Sequence, residues 1–142
     1  MPGAARAAVE RSAAPPAVGG HVGRPVRVLV VEDHADSAEM LTHVLRAQGY
    51  QVQVAGLVTA AKELARACDL LISDIRLPDG SGLDLMQDIR SRGPVRGIAL
   101  SGFGTEDDER RSREAGYRAH LTKPIDVTRL LEVIERVLEE PQ

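Results

Sequence analysis

The fold is decided by the stretch Val28-Leu29-Val30-Val31-Glu32-Asp33. Its first four residues are all apolar and three of them are β-branched, which is typical of a strand that is buried on both faces. Strands of this kind occur in parallel sheets that helices cover on both sides. The two acidic residues stand where the strand leaves the sheet. The stretch therefore predicts an interior parallel strand that ends in two carboxylates.

The same pattern of a short apolar run followed by an amphipathic stretch continues along the chain. Strands are predicted at residues 26–31, 50–54, 69–73, 95–101 and 117–122. Helices are predicted at residues 36–47, 57–67, 83–90, 105–115 and 126–139. Asp36 is expected to cap the first helix, with Glu39 three residues later. Strands and helices that alternate in this way predict an α/β fold, a three-layer (βα)5 sandwich with right-handed crossovers.

The composition excludes several classes of protein. Eighteen Lys and Arg against twenty-one Asp and Glu give a net charge of −3, which does not fit a basic nucleic-acid-binding surface. No apolar run approaches the roughly 18 residues that a membrane span needs. The single cysteine excludes an internal disulfide and a cysteine-cluster zinc site. We therefore expect a small cytoplasmic protein that binds neither nucleic acid directly nor a membrane.

Residues 1–25 differ in composition from the rest of the chain. Ala, Gly and Pro fill 15 of these 25 positions, which leaves too little apolar surface to offset the entropy of ordering them. A signal peptide is the rival interpretation, but Pro15, Pro16, Gly19 and Gly20 interrupt any apolar segment. Residues 1–25 are therefore predicted to be a disordered tail or linker, and residues 26–140 the folded domain.

Polar side chains follow four of the predicted strands. Glu32 and Asp33 leave the first strand, Asp74 the third, Ser101 the fourth and Lys123 the fifth. Because parallel strands end at one edge of the sheet, and ligands bind there in open α/β folds, we expect these side chains to converge.

This set has a definite chemistry. Carboxylates gathered in one place repel each other unless a cation lies among them, and Mg²⁺ prefers such oxygen ligands. An aspartate such as Asp74 can attack a phosphoryl group to form an acyl phosphate. A metal ion and Lys123 would neutralise the phosphoryl oxygens, and the Ser101 hydroxyl would donate a hydrogen bond to one of them. The residues therefore predict a switch that works through an aspartyl phosphate.

Four segments at these strand ends resemble the receiver domain of two-component response regulators. They are residues 28–33 (VLVVED), 74–82 (DIRLPDGSG), 99–102 (ALSG) and 121–124 (LTKP). They occur in the order of the family, and the resemblance extends from Val26 to near Glu139. It implies a flavodoxin-like, doubly wound sheet with strand order 2-1-3-4-5.

The resemblance also implies the partners and the metal site. Asp74 would be phosphorylated by a histidine kinase or a histidine phosphotransfer protein. Mg²⁺ would be held by Asp33, Asp74 and the backbone carbonyl of Arg76, with Glu32 acting through a water molecule. Glu32-Asp33 departs from the Asp-Asp pair that is commoner in the family. No turnover is expected beyond self-phosphorylation and autodephosphorylation at Asp74, unless the domain belongs to a hybrid histidine kinase.

The remaining residues of the motif would transmit the signal. Ser101 would be the switch hydroxyl, and Lys123 would bind the phosphoryl group, with a cis peptide bond to Pro124. His120 stands where the family usually has Tyr or Phe, the ring that couples phosphorylation to the output surface of helix 4, strand 5 and helix 5. That surface would bind a downstream protein or support a phosphorylation-dependent dimer.

Other interpretations stay open at the level of sequence. The domain is either a stand-alone receiver or the receiver of a hybrid histidine kinase. The alternative function is a degenerate, phosphorylation-independent interaction module of the same fold, but such a module is expected to lose Asp74 or Lys123. A haloacid-dehalogenase-like phosphatase needs a second carboxylate two residues after its nucleophile. Arg76 stands at that position, which argues against this class.

Overall fold

The computed structural model describes residues 24–141, which form a central sheet and five helices. The sheet strands are β1 (Arg27–Val31), β2 (Gln51–Ala55), β3 (Leu70–Asp74), β4 (Arg96–Ser101) and β5 (Ala119–Thr122). The helices are α1 (Ala35–Ala47), α2 (Val58–Leu64), α3 (Gly82–Arg90), α4 (Glu106–Ala115) and α5 (Val127–Glu139), with a 3₁₀ turn (Ala65–Ala67) after α2. The predicted boundaries agree with these elements to within two residues, except that α2 ends at Leu64, three residues before its predicted end, where the chain continues as the 3₁₀ turn.

The five strands are parallel and lie in the order β2-β1-β3-β4-β5. Val30 of β1 pairs with Val54 of β2 on one side and with Ile72 of β3 on the other. This order confirms the predicted fold class and doubly wound topology. It also brings the ends of β1, β3 and β4 next to one another at one edge of the sheet.

The two faces of the sheet explain the uninterrupted apolar run in β1. Val28 and Val30 pack with the apolar residues of α1 and α5, whereas Leu29 and Val31 pack against the opposite helix layer, formed by α2, α3 and α4. All four side chains are at most 2% exposed. Burying an apolar side chain of this size stabilises the fold by about 1.5–3 kcal/mol. The helix layers on both faces therefore stabilise β1 in the interior of the sheet.

Three of the five helices are capped at their N-terminal ends by the side chain of the capping residue itself. The side chains of Ser81, Thr105 and Asp126 cap α3, α4 and α5 by accepting hydrogen bonds from amides in the first turns. The prediction that Asp36 caps α1 was wrong. The helix begins one residue earlier, at Ala35, with His34 in the capping position and no side-chain cap. Asp36 lies in the first turn, where its charge is favourable to the helix dipole.

Most of the predicted tail lies outside the described residues, and the boundary at residue 26 stays a prediction. Arg24 already contacts the domain, since its Nη1 donates to Asp69 Oδ2 at 3.0 Å. None of the helices between residues 24 and 141 has the length and apolar character of a membrane span.

A short antiparallel hairpin after β3 was not predicted. It pairs Arg76–Leu77 with Gly80–Ser81, and its turn contains Asp79. The Asp79 carboxylate accepts hydrogen bonds from the amides of Val58 at 2.7 Å and of Thr59 at 3.2 Å. These bonds hold the pKa of Asp79 below its usual value. The hairpin therefore supplies the cap for α2, whose own capping residue, Leu57, has no suitable side chain.

We expect Asp79→Ala to lower the urea midpoint of unfolding, because the amides of Val58 and Thr59 lose the side chain that caps α2. Urea denaturation measures the change. Asp84→Ala is the matched control, because Asp84 lies in the first turn of α3 but does not cap it. The control is expected to shift the midpoint much less. Equal shifts in the two variants would contradict the capping role of Asp79.

Candidate functional site

The predicted polar residues converge at the carboxyl edge of the sheet. Glu32 and Asp33 directly follow β1, Asp74 ends β3, Ser101 ends β4, and Lys123 directly follows β5. All except Glu32 line one cleft of about 270 Å³. The prediction that these side chains meet is confirmed, since strand order alone places them at neighbouring ends.

Lys123 joins the two buried carboxylates of the set. Its Nζ lies 2.6 Å from Glu32 Oε1, and 2.9 Å and 3.1 Å from Oδ1 and Oδ2 of Asp74. The Glu32 side chain is fully buried, and its Oε2 also accepts a hydrogen bond from the His34 amide at 3.0 Å. The peptide bond between Lys123 and Pro124 is cis, as the resemblance implied. Lys123 is therefore the internal counter-ion of the site.

The two carboxyl groups respond differently to burial. Burial, with the neighbouring Glu32 carboxylate, raises the pKa of Asp74 to about 7, although Lys123 opposes the shift. Burial also works to raise the pKa of Glu32, but hydrogen bonds from Asp74, Lys123 and the His34 amide outweigh it and hold that pKa below its usual value. Glu32 is thus the ionised partner of Lys123, and the charge of Asp74 needs a further cation.

The donor atoms around the cleft fit a hard divalent cation. Asp74 Oδ1 is buried and has no hydrogen-bond partner among the described residues, although the Lys123 ammonium lies 2.9 Å away as an ion-pair contact. Asp33 is the more accessible carboxylate, with 31% of its side chain exposed. One ligand atom from each of Glu32, Asp33 and His34 also lies within 4.8 Å of the others. Carboxylate oxygens with access to water are the ligands that Mg²⁺ prefers.

Ser101 and His120 form a hydrogen-bonded pair beside the cleft. Ser101 Oγ lies 2.9 Å from His120 Nε2, and it accepts a hydrogen bond from the Gly104 amide at 3.0 Å. Because the hydroxyl oxygen already accepts from Gly104, its own proton is available to the imidazole. The structure therefore brings together the two residues that were predicted to transmit the signal.

Two residues outside the set of strand-end side chains position Asp74. A side chain at Gly82 would place its Cβ 2.1 Å from the carbonyl oxygen of Asp74, so only glycine allows α3 to begin there. The buried Tyr117 hydroxyl donates to the Gly82 carbonyl at 2.7 Å and fixes the same turn. The signal for Gly82 was the Gly-Ser-Gly sequence, but nothing local pointed to Tyr117, 35 residues away.

The family model, related sequences and solved structures all match this chain to response regulators. The family model of the response regulator receiver domain matches residues 28–135. The response regulator protein PilR of Pseudomonas aeruginosa is 37% identical over 115 residues, which cover 79% of this chain and 26% of PilR. The polar-differentiation response regulator DivK of Brucella anthropi is 33% identical over 119 residues, covering 80% of this chain and 97% of DivK.

Solved structures of response regulator receiver domains have the same fold as this chain. A CheY-like response regulator receiver domain protein from Methanospirillum hungatei superposes with a TM-score of 0.77 at 26% identity, covering 82% of this chain and 95% of that one. The relatives differ in length, since the chain spans about a quarter of PilR but nearly all of DivK.

Proposed function

The chain belongs to the response regulator receiver domain family, and we propose that Asp74 accepts a phosphoryl group from a histidine kinase or a histidine phosphotransfer protein. One observation supports this most strongly. The Asp74 carboxylate lines an open cleft, while the ammonium group of Lys123 lies within 3.1 Å of both its oxygens. A nucleophile that faces a fixed positive charge is the arrangement that phosphoryl transfer requires.

The reaction would proceed by attack of an Asp74 carboxylate oxygen on phosphorus. The P–N bond of the donor phosphohistidine breaks, and the imidazole leaves with the electron pair and takes up a proton. Lys123 neutralises phosphoryl oxygens on its side of the cleft. Mg²⁺, when bound, would supply charge neutralisation on the other side, held by Asp33, Asp74 and the Arg76 carbonyl, with Glu32 acting through water.

Signal output would start at Ser101. The new phosphoryl oxygens are stronger acceptors than an imidazole nitrogen. The Ser101 hydroxyl therefore turns towards them and its hydrogen bond with His120 breaks. Ser101 ends β4 and directly precedes the loop into α4, so this movement changes the surface of α4, β5 and α5. That surface would bind a downstream protein or a second copy of the chain. We place the domain in the cytoplasm, where ATP is available as the phosphoryl donor of the kinase. It would act there as a stand-alone receiver or as the receiver of a hybrid histidine kinase.

Acetyl phosphate with Mg²⁺ tests the proposal directly. We expect one phosphoryl group per chain by intact-mass spectrometry, placed on Asp74 by borohydride reduction and peptide mapping. Excess EDTA is expected to slow incorporation by at least about tenfold, because the metal neutralises charge in the transition state. Absence of an adduct, or an adduct on another residue, would overturn the proposal. It would favour a phosphorylation-independent interaction module instead. Incorporation that EDTA leaves unchanged would overturn the role of Mg²⁺.

A further inference from the structure

Arg76 connects the two loops that border the cleft. It follows Asp74 by two residues, and its guanidinium carbon lies 5.8 Å from the centre of the Phe103 ring in the loop before α4. Phe103 is 77% exposed, so the ring covers no core residue and faces the mouth of the cleft, which both residues line. A guanidinium over an aromatic face is a favourable cation–π contact. Arg76 is thus held at the entrance to Asp74.

The same guanidinium reaches a buried carboxylate on α4. Arg76 Nη2 lies 3.7 Å from Oδ1 of Asp108, whose side chain is only 4% exposed. The other oxygen of Asp108, Oδ2, is buried and accepts no hydrogen bond from any residue between 24 and 141. The neighbouring acids of α4 differ, since Asp107 and Glu109 are exposed and pair with arginines of their own helix. Within the described part of the chain, the ion pair of Asp108 is with Arg76.

This arrangement is poised to change when Asp74 gains a phosphoryl group. The distance between Arg76 Nη2 and Asp108 Oδ1 exceeds that of a hydrogen bond, so Asp108 binds the guanidinium only weakly. A phosphoryl group carries nearly two negative charges and offers oxygens that match the planar fork of a guanidinium. It would lie in the same cleft and would therefore compete with Asp108 for Arg76.

We propose that Arg76 is a second phosphoryl-binding residue, and that its recruitment takes the counter-ion from Asp108 and shifts the start of α4. The proposal rests on phosphorylation of Asp74, as proposed above. Arg76 is 63% exposed and free to turn away, whereas the Asp108 carboxylate is buried, so loss of the guanidinium leaves a buried charge without its counter-ion and destabilises the arrangement that buries it. Asp108 must then reach water, and α4 must move to allow it. This route to α4 is independent of the pair formed by Ser101 and His120.

Beryllofluoride with Mg²⁺, a stable mimic of the phosphoryl group, provides the test in the 142-residue chain. The variants are Arg76→Met and Asp108→Asn, with Arg113→Met as the matched control, because Arg113 is an exposed α4 arginine that pairs with Glu109 of its own helix. NMR titration of backbone amides gives both the affinity for beryllofluoride and the response of α4. Thermal melting shows whether each variant is folded.

We expect Arg76→Met to weaken beryllofluoride binding by about tenfold, the effect of one charge-assisted hydrogen bond, and to remove most of the response of the α4 amides. Asp108→Asn is expected to act in the opposite direction. It frees Arg76 and strengthens binding, but the neutral amide has no charge that must reach water, so the α4 amides are expected to respond less than in the wild type. Arg113→Met is expected to behave as the wild type.

The outcomes separate this inference from the proposed function. If the wild type binds no beryllofluoride, or Asp74→Asn binds it equally well, the proposed function fails. If the wild type binds and Asp74→Asn does not, but Arg76→Met matches the wild type in affinity and α4 response, only the role of Arg76 is overturned. If Asp108→Asn does not fold, Arg76→Met alone still decides, since it leaves the α4 sequence intact.

Discussion

Asp74→Asn is expected to abolish phosphoryl incorporation and, at the same time, to stabilise the fold. The amide keeps the shape of the side chain but has no anionic oxygen to attack phosphorus. It also removes one of two adjacent buried carboxyl groups, and its NH₂ group can donate to Glu32. Because burial and Glu32 raise the pKa of Asp74 to about 7, the charged form is disfavoured in the folded state. The expected gain in unfolding free energy is about 1–3 kcal/mol, measured by urea denaturation without Mg²⁺ in mildly alkaline buffer.

Asp126→Asn is the matched control for this change. Asp126 caps α5 by accepting a hydrogen bond from the Arg129 amide at 3.1 Å, and asparagine caps helices about as well. Incorporation is expected to equal that of the wild type, with stability changed by less than about 0.5 kcal/mol. Wild-type incorporation in Asp74→Asn would place the phosphoacceptor elsewhere. A loss of stability in that variant would contradict the unfavourable burial of the Asp74 charge.

The elements and the members of the site followed from local patterns. The uninterrupted run from Val28 to Val31 excluded a surface strand, and the neighbouring β3 is also buried along its length, so a sheet covered on both faces was the consistent arrangement. Once the strands were parallel, the residues after each strand had to meet at one edge. The convergence of Asp74 and Lys123 is therefore a consequence of topology, although 49 residues separate them.

Individual contacts could not be predicted, because they depend on side chains that come from distant parts of the chain. Asp79 lies in the turn of the hairpin, but it also caps a helix that begins 21 residues before it. The direct contact of Glu32 with Lys123, at 2.6 Å, joins residues that are 91 positions apart and was not predicted. Asp108 belongs to a helix that looks uniformly solvated in sequence, yet packing buries this one acid of the first turn. Periodicity gives the exposed face of a helix only approximately, and α4 has too few apolar residues to mark it.

Lys123→Met is expected to lower the free energy of unfolding by about 3–5 kcal/mol in the absence of Mg²⁺. Methionine has similar length and packs in the same space, so the change removes mainly the charge. Glu32, whose side chain is fully buried, then loses its counter-ion beside a second carboxyl group. Urea denaturation measures the loss. Because a divalent cation at the cleft would supply the missing positive charge, saturating Mg²⁺ is expected to restore part of the lost unfolding free energy.

Lys62→Met is the matched control for the removal of Lys123, since it makes the same change at the chain's only other lysine. Lys62 lies on α2 and does not line the cleft, so its loss is expected to change stability by less than about 0.5 kcal/mol, with or without Mg²⁺. Equal effects of the two substitutions would mean that Lys123 is an ordinary surface charge. Lys123→Arg adds a sharper comparison. A guanidinium keeps the charge but cannot occupy the position of a compact ammonium between two carboxylates. It is therefore expected to restore only part of the lost stability, which would show that Glu32 and Asp74 require the geometry of lysine as well as its charge.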